Sequence, residues 1–181
     1  MDIRIIIISL LSLAFTQDCG KERTDVKTLT DIEARKLSYR TSGTTIKRLR
    51  SILPHFPIGG NLPRQPEEKR TYSVICNIRE FRQEEDGDFH LVLTDLKDSA
   101  LTMIGEIPDP ECDVMSDCVK LEEIRGAYNA FYSEYRLPNH KVKSGKYKIS
   151  GVFFFDKIHG QLGVAPNGAE LHPVLSIKKI D

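Results

Sequence analysis

One stretch of helical period interrupts a chain that otherwise reads in strands. From Asp117 onward, Leu121, Ile124, Tyr128, Phe131 and Tyr135 recur at alternating steps of three and four, which puts one apolar stripe along a helix. Ser116 or Asp117 is placed to cap its start, and Pro138-Asn139 to end it. Three strand-like runs precede it. TYSVICNIREF alternates Tyr72, Val74, Cys76 and Ile78 against Ser73, Asn77 and Arg79. DFHLVLTD puts Phe89, Leu91 and Leu93 on one face and His90, Val92 and Thr94 on the other. LTMIGEIP ends at Pro108. Two more runs follow, KYKISGVFFFD with a bend or bulge expected at Gly151, and LHPVLSIKKI with Pro173 at an edge or bulge.

Three strands, one helix and two strands is the element order of the five-stranded Greek-key barrel called the OB-fold. The expected class is therefore all-β with one helix, an OB-like barrel in the order β-β-β-α-β-β. An open α+β roll or a sandwich would serve less well, because a single helix can plug one end of a small barrel but cannot cover a wide open sheet. No internal repeat is visible.

The formal net charge of zero hides an asymmetry. Residues 20–70 hold 12 Lys+Arg and 6 Asp+Glu, whereas residues 71–181 hold 13 and 18. An acidic body is a poor grip for a phosphate backbone. The division expected is a signal peptide over residues 1–14, a basic proline-rich tether over 15–69 and the barrel over 70–181. Arg4 and the apolar Ile5–Phe15 run resemble an export signal cleaved after Ala14. The protein is accordingly expected in the periplasm or cell envelope, touching a membrane only through its N-terminal segment. Lipid anchoring at Cys19 is the rival, although Gln17 and Asp18 replace the small residues of a lipobox. Within the tether, Asp31–Arg40 reads as a short helix. IKRLR reads as a solvated linker before it reads as a basic patch. Export permits disulfides among Cys19, Cys76, Cys112 and Cys118, with Cys112–Cys118 favoured by proximity.

Function points to the long connection between the last two strands, KIHGQLGVAPNGAE, because such loops tend to carry sites. Ligand-binding candidates are Asp88, His90, His159, Gln161, Asn167, Glu170 and His172. Asp88 and His90 share one strand face, as do Glu170 and His172. A carboxylate beside an imidazole can bind a divalent metal or act as an acid/base pair. Metal candidates are thus Asp88, His90, Glu170 and His172, and catalytic candidates His159, Glu170 and His172. Each has a plain structural alternative: His159 satisfying its own turn, Asn167-Gly168 forming a turn, Asp88 capping a hairpin, Glu170 and His172 pairing across strands. Phe153 and Phe155 are expected in the core, with Phe154 alone on the opposite face. P-loop, nucleophile-elbow, H-E-x-x-H and dinucleotide motifs are absent from the sequence.

DGDFHLVL, MIGEIPDPEC and GVFFFD..HGQ.GVAPNG.ELHPVLSI, in that order, resemble a group of poorly characterised, often exported bacterial proteins. The resemblance covers roughly Tyr72–Ile177. It implies an OB-like, nucleic-acid-binding protein, and brings no catalytic residues with it. The expected function is an exported ligand-binding module for nucleic acid or another anionic oligomer, of unassigned oligomeric state and without a resident cofactor. The alternatives are a metal-dependent hydrolase of phosphodiesterase or nuclease type and a purely structural envelope module.

Overall fold

The computed structural model describes residues 22–135 and 145–180. In chain order the elements are α1 (Thr24–Lys27), β1 (Ser38–Thr44), α2 (Ile46–Leu49), β2 (Arg70–Gln83), β3 (Phe89–Asp95), β4 (Thr102–Ile107), α3 (Leu121–Tyr135), β5 (Lys146–Phe155) and β6 (Ala169–Lys179). Five strands close into a barrel, with α3 as the main helix. β2 pairs antiparallel with β3 and β5, β3 antiparallel with β4, β4 parallel with β6, and β6 antiparallel with β5. β1 lies outside this ring, parallel to β2.

Closure depends on the long β2. Its first half, Thr71–Asn77, faces β5, and its second half, Cys76–Gln83, faces β3. The register shifts between Ile78 and Glu80. The apolar alternation slips by one residue at the same place, from Val74, Cys76 and Ile78 to Phe81. A bulge there lets one strand turn a corner while keeping its apolar side inward.

The interior is filled by Leu91 and Leu93, Met103 and Ile107, Ile149, Phe153 and Phe155, and Leu171 and Val174. Phe131 on α3 meets Phe81 and Phe89 edge-on, at centroid distances of 4.9 and 5.2 Å. The helix begins at Leu121 rather than at 117, because Asp113–Asp117 forms a separate 3-10 turn. Ser116 and Asp117 therefore do not cap α3, and the expected stop at Pro138-Asn139 lies outside the described residues. Gly151 does sit at a β5–β6 register irregularity. A Cβ there would come within 2.6 Å of the Pro173 carbonyl oxygen, so only glycine lets the strands close over Pro173.

The largest departure from expectation is the stretch read as a tether. From residue 22 to 69 it is a second layer on the barrel. Leu29, Ala34 and Leu37 cover the outward side chain of Val152, and Ile46 and Leu49 join the main core. In place of the expected Asp31–Arg40 helix there is a 3-10 turn at Ala34–Lys36 followed by β1. Two buried ion pairs fasten the layer. Arg23 forks onto Glu68 at 2.8 and 2.6 Å, and Arg64 onto Asp31 at 3.0 and 2.5 Å.

The cysteine expectation also changes. Cys76 and Cys118 carry free thiols and Cys112 is disulfide-bonded, so the expected Cys112–Cys118 pairing does not form. The proposed signal and Cys19 lie outside the described residues. No described helix is long and apolar enough to cross a membrane.

Candidate functional site

Strand parity dictates what the outer wall of the barrel carries. Phe89, Leu91, Gly105, Ile107 and Leu171 point inward, so the residues between them point out. His90 stands opposite Glu106 across the β3–β4 pair, and Glu170 stands opposite Ile104 on β4 and Phe154 on β5. Three neighbouring strands thus place His90, Glu106, Glu170 and His172 on one patch. Roofing by the N-terminal layer and the β5–β6 loop buries His90, Glu170 and His172, each at most 2% exposed.

Glu106 is the hub. Its Oε1 lies 3.0 Å from His90 Nδ1 and its Oε2 3.0 Å from His172 Nδ1. His172 Nδ1 is also 3.2 Å from Glu170 Oε1, and His90 Nε2 is 3.0 Å from the Leu162 carbonyl oxygen. Asp88 enters from the turn before β3, where its Oδ1 accepts the Asp109 backbone N–H at 2.8 Å. One ligand atom each from Asp88, Glu106 and His172 fall within 4.8 Å of one another.

These contacts set the charges. Burial pushes Glu106 up, but the His172 charge and hydrogen bonds from both imidazoles carry it well below the ordinary carboxylate range. Burial alone would lower His172, yet Glu106 and Glu170 raise it to about 10. Burial and the Glu106 charge push Glu170 up to about 7. Burial, reinforced by Asp86, pushes Asp88 up to about 8. The wall therefore carries more carboxylates than it can hold ionised without a proton or a cation beside them.

A cleft of about 870 Å3 opens on the His90 and Glu106 side of the patch, with Glu170 and His172 buried behind its lining. Its lining holds seven carboxylates, from Glu22, Glu84, Glu85, Asp86, Asp88, Glu106 and Asp156, against Lys27, Arg82 and Lys157. Lys27 reaches in from α1, its Nζ 3.2 Å from Asp156 Oδ1. Burial opposes its charge, but Glu170, Asp156 and Glu106 outweigh that and raise its pKa.

Of the residues expected from sequence, Asp88, His90, Glu170 and His172 come together. His159 does not join them. It is exposed on the cleft rim, and its backbone N–H donates to Gln161 Oε1 at 2.8 Å. Gln161 lines the same rim and braces the loop by donating to the Lys157 carbonyl oxygen at 2.7 Å. Asn167 is a strut, its Nδ2 donating to the carbonyl oxygens of Leu49 and Ile52 at 3.0 and 2.8 Å. Phe154 is fully buried beneath Arg23 and beside His172, so it offers no stacking surface. Sequence reading missed Glu106 and Lys27. Glu106 was within reach, since alternation in LTMIGEIP sets it apart from Met103 and Ile107 as the one charge on a strand otherwise apolar or small. Lys27 gave no local signal.

The loop is pressed onto the wall at Gly163. Its φ is +83°, and a Cβ would lie 2.6 Å from Val92 Cγ1. Gly163→Ala is expected to lift the loop and break the Leu162–His90 bond. The cost should be about 2–4 kcal/mol in urea unfolding, from left-handed strain and overpacking together. Gly160→Ala, with φ +89° but nothing within 4 Å, should lose only about 1–2 kcal/mol. Equal losses would mean that Val92 yields.

Comparison with protein-family models, with curated proteins and with solved structures finds no match.

Proposed function

We propose that the protein is an OB-type binding module whose working surface is the acidic cleft on the outer wall, and that its ligand there is a divalent cation. Three features support the OB assignment. They are the closing order β2-β3-β4-β6-β5, the parallel contact between the third and fifth barrel strands, and the helix between the third and fourth. The cation reading rests on the convergence of Asp88 and Glu106, which line the cleft, with His172, buried against Glu106. Donors bound about 2.1 Å from one ion are at most roughly 4.2 Å apart, so a spread within 4.8 Å closes by small side-chain motions. A mixed oxygen and nitrogen set suits Mn2+ or Zn2+ better than Mg2+ or Ca2+.

The anionic oligomer implied by the sequence resemblance would meet seven carboxylates in this cleft, so we place the cleft's ligand among cations instead. Export stays part of the proposal, because the disulfide-bonded Cys112 suits an oxidising compartment. Titration calorimetry at pH 8 should give one Mn2+ per chain, with proton release on binding. Glu106→Gln should weaken binding at least about tenfold, a loss of roughly 1.4 kcal/mol or more. Absence of binding by the wild type would refute the reading. Oligonucleotide binding left intact by Glu106→Gln would place a nucleic-acid surface elsewhere on the chain.

A further inference from the structure

We propose that Lys27 is the cleft's built-in counter-cation, delivered by the N-terminal layer so that an incoming divalent ion must compete with it. This rests on the reading of the cleft as a cation site and goes beyond it by naming the residue that sets its affinity.

A lysine at a surface normally extends its ammonium into water. Lys27 does the reverse. Its side chain is 20% exposed, and its Nζ lies beside Asp156 and 5.5 Å above the Phe154 ring. The backbone that presents it is held from both sides. Arg23, whose carbonyl accepts the Lys27 N–H, is forked onto buried Glu68. Arg64 Nη2 donates to the Val26 carbonyl oxygen at 2.9 Å. The ammonium is therefore positioned, and it shares one cleft lining with Asp88 and Glu106. Arg23 lies nearby over the same ring, but its guanidinium is committed to Glu68.

Two positive charges in one acidic cleft repel, and the coupling is reciprocal. Seating Lys27 lowers affinity for the ion, and binding the ion loosens Lys27.

Calorimetric titration of Mn2+ into wild type, Lys27→Met and Lys27→Arg tests this. Lys27→Met should bind about tenfold or more tightly than wild type, and Lys27→Arg should stay within about twofold. A second measurement needs no variant. Acetylation of Lys27 in the wild-type protein, followed by peptide mass spectrometry, should speed up when Mn2+ is added. Unchanged affinity in Lys27→Met beside clear wild-type binding would overturn the role of Lys27 and leave the cleft reading standing. No binding by any of the three proteins would overturn both.

Discussion

Glu68→Ala is expected to destabilise the protein by about 3–5 kcal/mol, the usual cost of orphaning one partner of a buried ion pair. Glu68 is fully buried and its carboxylate is saturated: it accepts one N–H from each of Arg23 Nη1 and Nη2, the Phe155 N–H at 2.9 Å and the Gln65 N–H at 2.7 Å. Removing it takes the countercharge from a buried guanidinium, which keeps only the carbonyl oxygens of Leu62, Pro63 and Phe155, and leaves two backbone donors without an acceptor. Since whole-domain stability is about 5–15 kcal/mol, this is a large share of it. The urea midpoint should drop accordingly, and the melting temperature by roughly 10 °C or more. The double variant Arg23→Met/Glu68→Leu should recover only the part due to the unpaired charge, because the Phe155 and Gln65 N–H groups still lack their acceptor. A Glu68→Ala loss below about 1 kcal/mol would mean that the N-terminal layer adds little to the fold.

The second large effect is a stability maximum on the acid side of neutrality. Asp88 and Glu170 have raised folded-state values, about 8 and 7. The unfolded chain gives up those protons near its ordinary carboxylate range, before the folded protein does, so stability falls as pH rises between the two. His172, raised to about 10, adds a contribution that is complete below the unfolded histidine value and lost as pH climbs through 10. His90, raised by Glu106 and the Leu162 carbonyl against the pull of burial, acts in the same direction. Glu106 works oppositely. Its lowered value contributes stability above the ordinary carboxylate range that is lost as pH falls through the folded one. Thermal unfolding should therefore peak near pH 5 and lose several kcal/mol by pH 9. At pH 8–9 added Mn2+ should restore part of that loss, since the ion replaces the missing protons. A flat or rising profile from pH 5 to 9 would contradict the charge state assigned to the wall.

These effects arise where sequence and structure diverge. The barrel was legible because alternation and helical period are local: Phe89-Leu91-Leu93 and the Leu121–Tyr135 stripe each announce an inward face. The N-terminal layer was not, because Leu29, Ala34, Leu37, Ile46 and Leu49 follow no single period, and their burial comes from strands far along the chain. Its clamp, Arg23 to Glu68, spans 45 residues. Prolines and glycines between 54 and 66 looked like a spacer, although Arg64, Gln65 and Glu68 nearby are buried. Half of the site followed from parity alone, since Asp88/His90 and Glu170/His172 were paired by spacing. Their hub needed knowledge that β4 lies between β3 and β6. Asn167 as a strut and His159 on the rim answer to their structural alternatives, between which composition does not choose, because it marks a turn without saying which groups hold it in place.

Crystals grown at pH 8 and soaked in Mn2+ give the most direct test of the cleft, read by anomalous scattering from the ion. One strong anomalous peak bounded by Asp88, Glu106 and His172, absent in Glu106→Gln crystals, is the predicted result. Well-diffracting wild-type crystals with no peak at that position, or with Mn2+ bound only elsewhere on the surface, would contradict the account.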